Sequence, residues 1–425
     1  MTTTAHVAMR LAGARVAADQ LAAALAVPPP PDPAAGYDPD SPRWHGQSLS
    51  VGAPGIAILH GIRALDGAAD WAPARAWLAC ALREYLAAGG GAGLWHGAPA
   101  VAFALHTATP PDQNRHLLQR LDAAIVPMVH RRLEEAGRRL DARLRPLPGE
   151  FDLVNGLTGL GAYLLHRAPR HVEALREVLA YLVWLTQPVP ADDAAGADAP
   201  GWWTPHLPAG HPGRPFADGH SDQGIAHGIC GPLALLALAA RAGITVHAHH
   251  EAMATICAWL QQWRYDGPAG PWWPERITLA ELRQSRSRHH GPARPSWCYG
   301  TPGIARALQL AALALDHPGQ ARAAEDALLA CITDTAQLDR LDTLGLCHGW
   351  AGMVASTWTA AAEATTPGLA QSLPPLVDAF LHRAATIVPG QPPGLIDGAA
   401  GVALVLHSIT TPGPWRGWET CLLLA

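Results

Sequence analysis

Lysine is missing from this 425-residue chain, whose 30 basic residues are all arginine. Schiff-base chemistry and a Walker-type phosphate loop both need a lysine amine, so the inventory excludes them. Charge is scarce at 15% of residues, and a net −5 with no basic stripe makes nucleic acid an unexpected partner. No apolar run approaches the roughly 18 residues that cross a bilayer. The Leu21 to Val27 stretch follows Asp19 and Gln20, not a basic segment, so neither a membrane span nor a signal peptide is expected. Cysteine is sparse and odd in number: Cys80, Cys230, Cys257, Cys298, Cys331, Cys347 and Cys421. That scatter is not a disulfide framework and fits a cytoplasmic protein, with Cys80, Cys257 and Cys331 as small core residues on apolar helix faces.

What the chain has in plenty is a repeat. Seven times a short loop built on Gly-x-x-Gly opens onto an apolar stretch, with first glycines at Gly52, Gly97, Gly156, Gly228, Gly300, Gly349 and Gly398. Only Ala100 breaks the pair of glycines. The spacing of about 45 to 72 residues suits a two-helix repeat with insertions in the middle of the chain. The stretches after the loops (Ile56 to Leu65, Leu160 to Arg167, Pro232 to Arg241, Ile304 to Leu315, Met353 to Ala362, Val402 to Ser408) are apolar all round and predict buried inner helices. Between them, Pro73 to Ala88, Asn114 to Arg145, His171 to Leu185 and Arg322 to Gln337 are amphipathic and predict outer helices.

The expected fold is therefore all-α: about fourteen helices in a double ring of seven helical hairpins, with the Gly-rich loops crowded at one end. The repeats run from about residue 50 to the C-terminus and argue for a single domain over 1–425, with a small insertion expected at 188–222. A second irregular segment runs from Asp266 to Ser296, and the Pro28 to Pro33 run reads as a stiff connector. The residue before each first Gly should face a common cavity beside inner-helix N-termini, where unpaired N–H groups favour negative charge. Those residues are Val51, His96, Asn155, His227, Tyr299, His348 and Asp397, too polar a set for a purely structural position.

Repeats five and six read Trp297-Cys298-Tyr299-Gly300-Thr301-Pro302-Gly303 and Leu346-Cys347-His348-Gly349-Trp350-Ala351-Gly352. Cys298, Cys347 and His348 would give a tetrahedral zinc three protein ligands and one open position, the pattern of a catalytic zinc. Spacing alone leaves the plainer reading equally open, two buried thiols and a hydrogen-bonded histidine. Asp152 likewise reads either as a helix N-cap or as a functional carboxylate. Trp297 reads mainly as packing, and His289 and His290 as exposed.

The pair Trp-Cys-Tyr-Gly-x-Pro-Gly and Cys-His-Gly-x-Ala-Gly resembles the lanthionine synthetase C-like family, the cyclases of lantibiotic biosynthesis and their relatives. The Asp152 to Gly159, Ala226-His227-Gly228 and Gly394 to Gly398 loops follow in the family's order. The resemblance implies an α/α toroid with one Zn2+ per chain on Cys298, Cys347 and His348. It implies His227 and Asp152 as the acid-base pair, with Tyr299 and Arg294 lining the site. It also implies a substrate, a dehydrated precursor peptide with its leader, made by a dehydratase partner. An exporter and peripheral association with a membrane complex belong to the same expectation. The implied activity is intramolecular addition of peptide Cys thiols to dehydroalanine or dehydrobutyrine, giving thioether rings. The alternatives are a relative that adds glutathione to dehydro residues and a non-catalytic peptide binder. Protein prenyltransferase β-subunits share this kind of ring, but their Asp, Cys and His ligand set differs from the one here.

Overall fold

The computed structural model describes residues 3–29, 46–189, 193–196, 199–205, 216–384 and 392–425. The 188–222 insertion is described only in part, and its His206 and His211, like most of the proline connector, lie outside the described residues. In chain order the helices are α1 (Thr3–Ala24), α2 (Ala53–Leu65), α3 (Ala72–Ala81), α4 (Ala98–Thr107), α5 (Arg115–Asp141), α6 (Pro148–Phe151), α7 (Leu157–His166), α8 (Val172–Leu185) and α9 (Cys230–Arg241). They continue as α10 (His249–Gln262), α11 (Leu279–Gln284), α12 (Thr301–Ala314), α13 (Pro318–Thr333), α14 (Thr335–Leu338), α15 (Trp350–Ala362), α16 (Gly368–Ala384) and α17 (Ala399–Thr410). Among the described residues, four three-residue strands, β1 (His220–Asp222), β2 (Tyr265–Gly267), β3 (Gly270–Trp272) and β4 (Arg276–Thr278), make two antiparallel pairs. Among the described residues no helix is long and apolar enough to cross a membrane.

The inner helices begin two or three residues earlier than the apolar pattern predicts. In five repeats the first glycine is itself the N-cap (Gly52, Gly97, Gly156, Gly300, Gly398), so the second lies inside the first turn. Proline at the start of α2, α4 and α12 is compatible with that turn, whose N–H groups have no intrahelical partner in any case. The second glycine lets the turn lie against a carbonyl: a Cβ on Gly303 would sit 2.0 Å from the Trp297 oxygen.

The outer segment predicted over Pro73 to Ala88 ends early, at Ala81. The Gln47 side chain takes over there, donating to the Tyr85 carbonyl at 2.7 Å and accepting from the Ala87 N–H at 2.9 Å. Those bonds satisfy the backbone outside a helix, which removes the reason to continue one.

The chain packs into two compact units. One holds residues 1–125, 342–355 and 373–419 and the other 126–341, 356–372 and 420–425. In the first, α2 packs on α3 and α4 and α17 packs on α1 and α2. Residues Ala53 to Arg63 of α2 and Ala399 to Ile409 of α17 are all buried, as the apolar pattern predicts. In the second, α12 lies against α9 and α13, and α7 against α8 and α9. Helix α8 buries Ala174, Leu175, Val178, Leu179 and Leu182, the three-and-four spacing of a one-faced helix.

Within each unit the repeat loops are joined by one recurring hydrogen bond. The residue three before one first glycine donates its N–H to the carbonyl of the residue two before another. In the first unit Leu49 donates to Trp95 at 3.0 Å, Leu395 to Ser50 at 2.7 Å and Leu346 to Ile396 at 2.6 Å. In the second, Leu153 donates to Ala226 at 3.1 Å and Ile225 to Cys298 at 3.0 Å. The first repeat thus neighbours the last, and within each unit the side chains before the first glycines are presented from hydrogen-bonded loops. All seven remain half-buried or exposed, although the glycine that follows each is buried.

Candidate active site

In the second unit, the loop before α7 places Asp152 four residues ahead of its N-cap. One carboxylate oxygen accepts the N–H groups of Asn155 and Gly156 at 2.6 and 2.8 Å. The other lies 2.7 Å from His227 Nδ1. Asp152 is not the N-cap of α7, which is Gly156; its carboxylate closes the turn ahead of that helix and also holds an imidazole. The carboxylate is 1% exposed and the imidazole 37%. With Nδ1–H donated to Asp152, Nε2 is the nitrogen left to exchange a proton. Burial opposes a charge on His227, but the hydrogen bond to Asp152, that residue's charge, and the charges of Asp222 and Cys298 outweigh it and raise the imidazole pKa.

The His227 loop leans on the Cys298 loop. Besides the Ile225 bond to the Cys298 carbonyl, the Tyr299 ring stacks beside His227 with centroids 6.3 Å apart and planes 28° from parallel. Cys298 is buried, its sulfur 3.5 Å from Ser296 Oγ, and the same hydroxyl accepts the Tyr299 N–H at 3.3 Å. Trp297 is buried and donates Nε1–H to the Leu422 carbonyl at 3.0 Å, so it anchors the loop as packing. Arg294 is half-buried in the approach to Cys298, and its carbonyl would lie 2.6 Å from a Cβ at Gly300. His289 and His290 are exposed.

Two residues of this neighbourhood were not singled out in the sequence. Asp222, six residues before Gly228, accepts Nε–H of Arg276 at 3.2 Å and the Gly224 N–H at 2.9 Å. The Arg276 guanidinium lies 4.6 Å from the centre of the Tyr299 ring. Burial raises the Asp222 pKa against the lowering effect of Arg276, and the Arg276 pKa is raised because Asp222 and Tyr299 outweigh its burial. The pair arises from strand β1 meeting β4 across more than fifty residues, with Asp222 opposite Arg276. No local motif announces that meeting.

In the first unit, Cys347 and His348 end the loop that opens α15, and both are half-buried. The Cys347 N–H donates to the Ile396 carbonyl at 3.1 Å, and His348 Nδ1 lies 3.8 Å from Asp397 Oδ1. Cys298 in the second unit and Cys347 and His348 in the first carry thiol and imidazole groups of the kind that ligate a metal ion.

A model of the family described as lanthionine synthetase C-like protein matches residues 43–423. Nisin biosynthesis protein NisC of Lactococcus lactis subsp. lactis is 25% identical over 266 residues, which span 61% of this chain and 60% of that relative's length. The solved structure of nisin cyclase is similar with a TM-score of 0.75 at 20% identity, over 89% of this chain and 92% of its own. That likeness shows the fold, an all-α, α/α toroid.

Proposed function

The chain belongs to the lanthionine synthetase C-like family, and from that premise we propose that it is a zinc-dependent lanthipeptide cyclase acting on a dehydrated precursor peptide. The observation that carries the reading is that His227, held by Asp152 from a neighbouring loop, stands on a loop hydrogen-bonded to the one bearing Cys298. A proton-transfer group and a metal-ligating thiol are thereby held on neighbouring loops.

The donor set fits zinc. Two cysteines binding as thiolates and one histidine are the borderline-soft ligands that zinc takes, and three of them leave room for a fourth. When bound, zinc lowers the pKa of a peptide thiol from its free value of about 8.5, so that it is ionised near neutral pH.

The residues of the chain then divide the remaining work. The sulfur of the peptide Cys adds to the β-carbon of dehydroalanine or dehydrobutyrine, forming a C–S bond as the C=C electron pair moves toward the α-carbon and its carbonyl. The positive N-terminal end of the α12 dipole, and Arg294 in the loop before it, supply positive charge for that enolate. His227 Nε2 delivers a proton to the α-carbon, completing a new C–H bond with no leaving group. Asp152 keeps Nδ1 protonated and the ring oriented while it does so. Tyr299 walls the imidazole on one side. The peptide leader and a dehydratase partner belong to the same reading, since the dehydro residues must be made beforehand.

The test is direct. A dehydrated precursor peptide is incubated with the protein, treated with a thiol alkylating agent and weighed by mass spectrometry. The reading predicts that each closed ring protects one Cys from alkylation. A glutathione adduct in place of protected Cys would reassign the chain to thiol addition without cyclisation. Full alkylation with unchanged peptide affinity would make it a peptide binder.

A further inference from the structure

We propose that Asp222 and Arg276 form a clamp that positions Tyr299 against His227, so that delivering Arg276 is what the irregular 266–296 segment contributes to the reaction site. The inference rests on the cyclase reading for its consequence, although the clamp itself is a matter of geometry.

Tyr299 stands immediately before a first glycine, where side chains in this protein are left accessible, and an accessible ring on a loop can swing. Tyr299 is restrained on two sides. Its ring lies against Gly224, where an added Cβ would come within 2.8 Å of Cδ1. The Arg276 guanidinium covers the ring at 4.6 Å from its centre, an arrangement attractive in itself.

What is held in place is the ring, so Arg276, itself fixed by Asp222, acts through Tyr299. The clamp is itself well built. Arg276 is 8% exposed and Asp222 6%, and the guanidinium also lies 3.7 Å from Glu275. Strand pairing already fixes the Asp222–Arg276 backbone register. The buried charged pair is therefore more than β1 and β4 need in order to stay together, and a buried ion pair is a weak stabiliser in any case.

Two measurements test this on the full-length protein. In the first, Arg276→Gln, Tyr299→Leu and the double variant are compared for ring closure, with zinc content and unfolding midpoint measured alongside. Arg276→Gln should lower kcat by ~10-fold with zinc content unchanged, and should cost less than about twofold when Tyr299 is already Leu. Arg276→Lys should recover only part of the loss, because it keeps the charge but not the planar face over the ring. In the second, the chain carries tyrosine labelled with 13C at Cζ, and the Tyr299 signal is identified among the six tyrosines by its loss in Tyr299→Phe. Arg276→Gln should shift that signal and leave the other five in place.

Equal losses in both backgrounds, with a lowered unfolding midpoint, would mean that Arg276 merely holds β1 to β4 and would overturn the proposal. An unmoved Tyr299 signal would overturn it as well. If the wild type closes no rings, the cyclase reading fails while the labelled tyrosine still decides the clamp.

Discussion

Gly303→Ala is the substitution that most severely tests how the repeat builds its loops. The added methyl would lie 2.0 Å from the Trp297 carbonyl oxygen, a separation real Cβ atoms do not show. The oxygen must retreat by about 1.4 Å to reach an ordinary contact, an overpacking strain at the upper end of the usual 1–3 kcal/mol. It cannot retreat freely. Trp297 is buried with its indole donated to Leu422, and the next residue, Cys298, accepts the N–H of Ile225 through its own carbonyl. The expected cost is about 2–3 kcal/mol of stability, together with displacement of Cys298. Repeat two supplies the control, since Ala100 occupies the same position there and is fully buried. Its N-cap, Gly97, has φ +77° where Gly300 has −97°, so the chain enters α4 along a different path that leaves room for a methyl. Ala100→Gly should cost only about 0.5–1 kcal/mol, the helix preference for Ala over Gly. Urea unfolding followed by circular dichroism, with metal analysis of the same samples, checks both variants. A Gly303→Ala protein with the wild-type midpoint and the wild-type metal content would refute the reasoning.

Two further predictions concern protons. Asp152→Asn should slow ring closure by about a hundredfold or more, and should also change how stability depends on pH. The raised His227 pKa means that its stabilising share is fully present below pH 6.5 and lost as pH rises through the folded value, so the deficit of the variant should be largest in mild acid and shrink above it. A deficit that is flat with pH in urea titrations would count against the pairing. Glu419 is 6% exposed, its Oε2 lacks a hydrogen-bond partner, and burial pushes its carboxyl up from 4.5 to about 7. Ionising it in the fold carries a penalty that grows above pH 4.5 and is complete above about 7. Glu419→Gln should therefore stabilise the protein at pH 8 by on the order of 2–3 kcal/mol, and by much less at pH 5. The same gain at both pH values would refute that.

The repeat was legible because it is written in backbone chemistry. A glycine pair before an apolar stretch marks where a helix starts, and the structure puts helices at all seven, shifting their starts because the first glycine rather than the second is usually the cap. The Asp152–His227 pair was foreshadowed by the family's motif order and is met at 2.7 Å. Asp222 and Arg276 were not legible, because what makes them neighbours is a three-residue strand pair bridging two irregular segments, and short strands without alternation leave no pattern to read. The early end of α3 was hidden for a similar reason: the side chain that ends it, Gln47, lies 38 residues away from Tyr85.

The measurement that bears most directly on the account is the zinc content of the purified protein by elemental analysis, wild type beside Cys347→Ala. The account predicts about one zinc per chain in the wild type and almost none in the variant. A wild type without zinc after preparation free of chelators, or a variant that keeps it, would contradict the proposal that Cys298, Cys347 and His348 hold the metal that activates the peptide thiol.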